Sequence, residues 1–408
     1  MSKLSFNSIS TDIFRVNSNS TDKRDEIVAA GRSIAYDFAA RGTNNLHKVM
    51  GLAENASRIV TDSEYAELNK FFQQEHFLFA AKIACMQNGS KAPETWEEFK
   101  KQQANFRGNR AFLATLMGIY REVLTPIIPA VYSEAVGIFA ETVTVGIGES
   151  YEVEIGSGDI PIFQDSAWGA ARSVPRNRFY SKTYTLVPQP RTAQINAKWS
   201  QLVGNNVDFG RFFANITAGI YSKTLALWNS TMTAALSNTA LVPSGLQYAF
   251  NTQNWVTLAN KISALNNTPL SNIVAIGGLV GLSKVLPTQT TGATNVNMDA
   301  AIATLLGADY TKAGYLGEFM GVRLMPITDA VVPNTQFGAV QTVLDQSKVF
   351  MLSGSGYKPL TIAYNEDTPI QLEVDPSKAG DMELAINITI SLDAIALFQS
   401  KVGVVTVA

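Results

Sequence analysis

A chain of 408 residues, 46% of them hydrophobic and 10% aromatic, has enough apolar surface for two or three domain-sized cores, which excludes a disordered polypeptide. A formal net charge of -2 and a pI near 5.9 exclude an overall pull toward nucleic acid or an anionic membrane, so partners must be recognised by shape and local charge. A single cysteine, Cys85, excludes an intramolecular disulfide, and no opening stretch has the basic and then apolar order of an export signal; synthesis in a reducing cytoplasm is expected.

The opening residues are rich in Ser and Asn, the composition of a frayed tail. Helical spacing begins after Thr21-Asp22, with Ile27, Ala30, Ile34 and Phe38 three or four apart. A second helix is expected from Asp62 to about Met86, opened by Thr61-Asp62-Ser63-Glu64 and stopped by Asn88-Gly89. A third starts near Pro93-Glu94 and runs past Phe99 and Phe106, and a fourth covers Arg110 to about Leu124. Residues 1–135 therefore read as an α-helical arm or subdomain. The most apolar region, 111–140, is broken by Arg121, Glu122, Pro126, Pro129 and Glu134, short of the ~20 uninterrupted residues a bilayer span needs, and no membrane partner is expected.

From Glu141 to Val207 the charges are sorted. Glu141, Glu149, Glu152, Glu154, Asp159 and Asp165 fall in the first arm, which has no Lys or Arg. Arg172, Arg176, Arg178, Lys182, Arg191 and Lys198 fall in the second, which has no acid. Alternation in Tyr151–Ile155 and Phe179–Val187 makes both arms strands, and the Gly156-Ser157-Gly158-Asp159-Ile160-Pro161 stretch joins them by an extended loop. A two-stranded ribbon is marginal alone in water, so this long flap must lie on something. Three readings stay open: a flap docked on a neighbouring subunit, an edge hairpin whose arms neutralise each other within one domain, and a basic patch for nucleic acid.

Asp208 to Leu236 is the longest helical pattern, with Asp208 as N-cap and Phe209, Phe212, Phe213, Ile216, Ile220, Leu227, Met232 and Leu236 on one stripe. At ~1.5 Å per residue it makes a rod of roughly 43 Å. Pro243-Ser244-Gly245-Leu246 then turns the chain into a mixed α/β unit. Its elements are a helix Trp255–Leu265, a strand Asn272–Ile276, a helix Val280–Leu286, a polar loop Thr288–Asn297, a helix Met298–Leu306, and strands over Gly321–Ile327 and Lys348–Leu352. The β-branched tail, Ile370–Val374 and Glu383–Ala408, is expected to return to a sheet begun near Val131–Val145.

Catalytic chemistry is sparse. His47 and His76 have no metal-ligand spacing with each other or with Cys85; His76 reads as a helix-packing residue and Cys85 as a small buried hydrophobe. No metal, cofactor or catalytic group is assigned. The enzyme-like signal is Ile276-Gly277-Gly278-Leu279-Val280-Gly281, a strand feeding a Gly-rich turn and a helix. That arrangement either cradles a nucleotide phosphate or serves a tight strand-to-helix turn.

The order of parts is more informative than any motif. A helical N-terminal arm, an extended two-stranded loop, a long helix, a mixed α/β unit and a terminal β segment resemble the major capsid protein family of tailed bacteriophages, the Hong Kong 97 type shell fold. Leu241-Val242-Pro243-Ser244-Gly245-Leu246 resembles that family's exit from its spine helix. Gly317–Ile327 followed by Asp329-Ala330-Val331-Val332-Pro333 resembles one of its strands, with Arg323 where a Pro is frequent. The resemblance covers about residues 136–408 and implies an α+β chain. Its parts would be an N-terminal helical arm (1–135), a P-domain strand and E-loop hairpin (136–207), a spine helix (208–240), an A domain (241–365) and β-rich C-terminal P-domain strands (366–408).

The function so implied is structural and non-enzymatic: hexamers and pentamers of the chain form an icosahedral shell in the host bacterial cytoplasm and become part of the virion. Portal, scaffolding and decoration proteins would be partners, and packaged double-stranded DNA would be contacted non-specifically. Glu149, Glu152, Glu154, Asp159, Arg172, Arg176, Arg178 and Lys182 are the candidate interface charges, with Trp168 a candidate anchor. Some members of the family crosslink subunits, for which Lys182 with Asn365 or Asn387 and Glu373 are conceivable. An encapsulin-like compartment and a nucleotide-binding enzyme using Gly277–Gly281 are the alternatives.

Overall fold

The computed structural model describes residues 23–40, 62–125, 127, 137, 140–146, 148–156, 181–204, 207–238, 242–286, 288–291, 294–297, 314–333, 335, 338–355, 358–365, 370–373, 383–396 and 401–407. Four helices come first: α1 (Lys23–Ala40), α2 (Asp62–Asn88), α3 (Trp96–Phe106) and α4 (Arg110–Leu124). Their ends follow local chemistry. Gly89, at φ 63°, ends α2 while the Ser90 amide donates back to the Cys85 carbonyl (3.0 Å). Thr95 accepts from the Glu98 amide (3.3 Å), so α3 starts at Trp96 rather than at Pro93-Glu94. Asn109 accepts from the amides of Ala111 and Phe112 (2.9 and 3.2 Å) and opens α4.

Strands β1 (Ala140–Val145), β2 (Tyr151–Gly156), β3 (Ser181–Leu186) and β4 (Gln189–Lys198) follow, then α5 (Trp199–Val203) and the 29-residue α6 (Phe209–Ser237). The rest comprises β5 (Gln247–Ala249), α7 (Thr252–Asn266), β6 (Ile273–Gly278), α8 (Leu279–Ser283), β7 (Thr288–Thr291), β8 (Thr294–Asn297), β9 (Glu318–Phe319), β10 (Val322–Ile327), β11 (Lys348–Ser353), β12 (Leu360–Asn365), β13 (Ile370–Glu373), β14 (Glu383–Ala396) and β15 (Gly403–Thr406). The polar stretch expected as a loop at Thr288–Asn297 is the β7–β8 hairpin; the helix expected over Met298–Leu306 lies outside the described residues.

Two larger sheets organise the chain. The five-stranded one runs β1-β12-β14-β13, with β4 on the other side of β14; the six-stranded one runs β5-β15-β11-β6-β10-β9. Two expectations are corrected here. The stretch 141–207 is not one long hairpin: β1 pairs in parallel with β12, β4 pairs over ten residues with β14, and only β2 and β3 pair with each other. The C-terminal β segment does not return to one sheet, since β14 joins β1 through β12 whereas β15 enters the other sheet between β5 and β11. Sheet membership therefore does not follow a boundary at 365/366, because β12 lies with β14 and β15 lies with β6 and β11.

Helix α6 is buried along its length. Its head lies in an aromatic cluster with α2, α3, α4 and α5. Phe72 meets Phe209 at 5.2 Å, and Phe77 meets Phe99, Phe112 and Trp199 at 5.6, 5.9 and 6.0 Å. The helical region thus shares one core with α6. The polar ring around that head is also filled. Asp208 caps α6 at the Arg211 amide (3.3 Å) and accepts the Tyr65 hydroxyl (2.6 Å). Asn69 accepts from the Phe209 amide (3.1 Å), and Gln73 donates to the Leu202 carbonyl (2.9 Å).

Further along, Ile388, Ile390, Leu392, Leu360 and Ile362 of the five-stranded sheet belong to the same core. At the tail Trp228 packs on Phe350 (5.5 Å), while Tyr221, Ser222 and Asn229 donate to the carbonyls of Thr328, Val331 and Val343 (2.5, 3.1 and 3.0 Å).

Replacing Asp208 with Ala removes the cap and the Tyr65 bond, and chemical denaturation is expected to show a loss of about 1–2 kcal/mol. Phe77→Ala, at a fully buried position touching several rings, is expected to cost about 3–5 kcal/mol in the same measurement.

Candidate assembly surface

The β2–β3 ribbon is an insertion between two strands of the five-stranded sheet, leaving after β1 and returning into β4. Gly148, at φ 80°, and the Glu149 amide donating to the Gly146 carbonyl (3.1 Å) turn the chain out of β1. The ribbon's root is held by a small apolar cluster of Val145, Leu186 and Ala363, with Val143, Tyr151, Val153 and Ile395 packed against it. The Val187 amide donates to Asp393 Oδ2 (3.1 Å) where the ribbon re-enters the sheet.

This root lies on the sheet face opposite α6. In the parallel β1–β12 register Val143 stands beside Ala363, whereas Leu360 and Ile362, on alternate residues, are in the core with α6. The sheet therefore separates ribbon from long helix.

The ribbon's register places the charges of its two strands. Glu152 and Glu154 stand opposite Thr185 and Thr183, not opposite cations, and Lys182 stands opposite Ile155. The residues directly opposite these two glutamates are therefore threonines. Glu152 and Glu154 are exposed, on the face away from Tyr151, Val153 and Leu186. Glu149 is exposed too, with its carboxylate folded over Gly146.

Lys182 is described by its backbone alone, and Asp159, Trp168, Arg172, Arg176 and Arg178 lie outside the described residues. Asn365, Asn387 and Glu373 are strand residues of the five-stranded sheet, in β12, β14 and β13.

The glycine turn has a packing cause. A Cβ on Gly281 would stand 2.7 Å from the Gln346 carbonyl, one on Gly277 3.2 Å from the Lys348 carbonyl, and one on Gly278 against the Gln346 side chain. Gln346 Nε2 donates to Asp329, whose other oxygen accepts from the amides of Val343 and Leu344 (3.1 Å each). The Gln346 side chain thus fills the space beside Gly278, and α8 is a single turn. Neither Gln346 nor Asp329 was legible as the reason for those glycines, since both are remote in sequence. Among the described residues no three His, Cys, Asp or Glu side chains gather to hold a metal, and no helix is long and apolar enough to cross a membrane.

No family model and no curated protein matches the sequence. Among solved structures the chain is similar to one from Microbacterium phage Oxtober96, at 14% identity over 67% of this chain and 90% of that one, with a TM-score of 0.41. It is similar to the capsid of a native GTA particle at 12% identity over 67% and 90%, with a TM-score of 0.43. It is also similar to a virus-like particle from Pyrococcus furiosus at 13% over 65% and 89%, with a TM-score of 0.36. TM-scores this low decide nothing by themselves, and the functional reading rests on the chain's own geometry.

Gly281→Ala is expected to destabilise the chain by about 1–3 kcal/mol through overpacking against Gln346, read as a lowered midpoint in urea. ATP and NAD are expected to leave thermal unfolding of the unaltered chain unchanged.

Proposed function

We propose that this chain is the shell-forming subunit of a tailed-phage capsid, a structural protein without catalytic activity. The observation that carries the reading is the ribbon: a two-stranded insertion rooted on one face of the five-stranded sheet, with exposed carboxylates on its outer side. Such a ribbon gains its stability from what it lies on, and a second copy of the chain is the support that repeats with the protein itself. In this reading β2–β3 is the E-loop, α6 the spine helix, the five-stranded sheet the P domain and the six-stranded sheet the A domain. Hexamers and pentamers close the shell around double-stranded DNA, with portal, scaffolding and decoration proteins as partners. The basic residues Arg172, Arg176, Arg178 and Lys182 meet Glu149, Glu152, Glu154 and Asp159 between copies, and Trp168 anchors the contact.

Negative-stain electron microscopy of the protein, expressed alone and with its neighbouring genes, is expected to show closed shells or tubes of repeating capsomers. A monodisperse monomer or dimer in both preparations overturns the reading. The absorbance ratio of purified shells separates the DNA-filled head from a compartment that holds protein cargo.

Reversing Arg172, Arg176 and Arg178 to Glu, or Glu152 and Glu154 to Lys, is expected to leave monomer stability within about 0.5 kcal/mol while blocking or misdirecting assembly. Normal shells from both variants would sink the charge-paired interface.

A further inference from the structure

We propose that His76 is an acid-release pin: its protonation unseats the helical layer α1–α4 from the head of α6 while the six-stranded sheet remains folded. The proposal concerns the subunit's own fold and stands apart from the shell reading. His76 is fully buried on α2, ringed by Phe72, Phe77 and Phe209 at 4.8, 4.4 and 5.2 Å between ring centres. Its Nδ1 lies 2.5 Å from the Phe72 carbonyl and its Nε2 2.9 Å from the Tyr120 hydroxyl of α4. The neutral tautomer with hydrogen on Nδ1 satisfies every partner, Nδ1–H donating to Phe72 and the Tyr120 hydroxyl donating to Nε2. One imidazole thereby joins three elements: α2, α4 and the start of α6.

A second proton breaks this arrangement in two ways. Nε2 becomes a donor facing a donor, and the Tyr120 hydroxyl must turn its hydrogen away from Nε2 on a ring that Phe209, Phe212 and Phe213 surround at 6.0, 6.1 and 6.0 Å between ring centres. Among the described residues no carboxylate is bonded to the ring to meet the new charge. On the packed elements, Glu75 pairs with Lys23, Glu122 pairs with Arg24, and Asp208 is engaged by the Tyr65 hydroxyl and the Arg211 amide. Arg32 donates to the Glu122 carbonyl, and Tyr120 is the titratable group bonded to the ring. Attraction to the surrounding ring faces returns part of the lost hydration and no more.

Burial accordingly holds His76 down to about 3, against the opposing pull of the Phe72 carbonyl, and pushes Tyr120 up so that it stays a donor. The sign follows from linkage. Above the ordinary histidine value of 6.5 neither folded nor unfolded chain takes the proton, and stability is complete. As pH falls from there toward 3 the unfolded imidazole binds a proton that the folded one refuses, and the folding constant drops by up to about tenfold per pH unit.

The effect is local because the six-stranded sheet is held at the far end of α6, through Trp228 and Asn229. The chain's other histidine, His47, lies outside the described residues.

The test uses the full chain with carbon-labelled histidine, followed by nuclear magnetic resonance from neutral pH down to about pH 3. Pepsin pulses, with cleavage sites mapped by mass spectrometry, accompany the acid half of the titration. The expected result is one imidazole that stays neutral until a cooperative transition well below its usual range, with first new cuts in 62–124 and later ones in the six-stranded sheet. His76→Gln, assigned as the variant lacking that signal, is expected to lose much less stability between mildly acidic and strongly acidic solution. The proposal is overturned by a His76 signal that titrates in the ordinary range without opening, by a six-stranded sheet cut first or together with the helices, or by an unchanged acid profile in the variant. Should the variant fail to fold, the titration and cleavage order of the unaltered chain decide alone.

Discussion

Burial of α6 around most of its circumference is the constraint on which the other parts depend. A helix whose surface carries Phe209, Phe213, Ile216, Ile220, Leu225, Trp228 and Met232 in buried positions needs partners on several sides. The aromatic layer covers the head, the five-stranded sheet lies along the shaft, and the 328–343 segment with the second sheet covers the tail. Polar residues enter this environment without loss because Thr217, Thr224 and Thr231 return their hydroxyls to carbonyls one turn back (2.8–2.9 Å). Each large side chain so buried contributes about 1.5–3 kcal/mol, so the three bodies are coupled through a single element.

Helices were legible because their signals are local. The spacing of Ile27, Ala30 and Ile34, the Asp208 cap and the Asn88-Gly89 stop all act within a few residues, and α1, α2 and α6 fall where they place them. Strand pairing is a distant property. Nothing in Gln189–Lys198 announces a ten-residue ladder with β14, since the pairing is set by a partner about two hundred positions away. The sorted charges of 141–207 drew both arms into one hairpin, yet β1 answers to β12, and among the described residues the arms pair as the short β2–β3 ribbon. Thr and Asn concealed β7 and β8, which read as loop because they lack apolar alternation.

The candidate surface shows the same division. Exposure of Glu152 and Glu154 followed from alternation alone, whereas their threonine partners came from the register. The glycines at 277, 278 and 281 look alike whether they admit a phosphate or a neighbouring strand. What separates the two is Gln346, held over them by Asp329, a contact between segments that the chain brings together only when folded. His76 was readable as a packing residue from its apolar neighbours, but the Tyr120 hydroxyl that fixes its tautomer lies on a different helix.

The position of β15 has a consequence for synthesis. It is the last of the described strands in sequence, yet it sits inside its sheet, between β5 and β11, with β11 in turn pairing β6. As the chain emerges from the ribosome, the helical layer and the head of α6 have their partners early, while that sheet has a gap where Val404 and Val405 belong. Long-range pairing of this kind is slow and comes late. Half-made chains therefore expose an incomplete sheet, and its surface is finished only once β15 has been made.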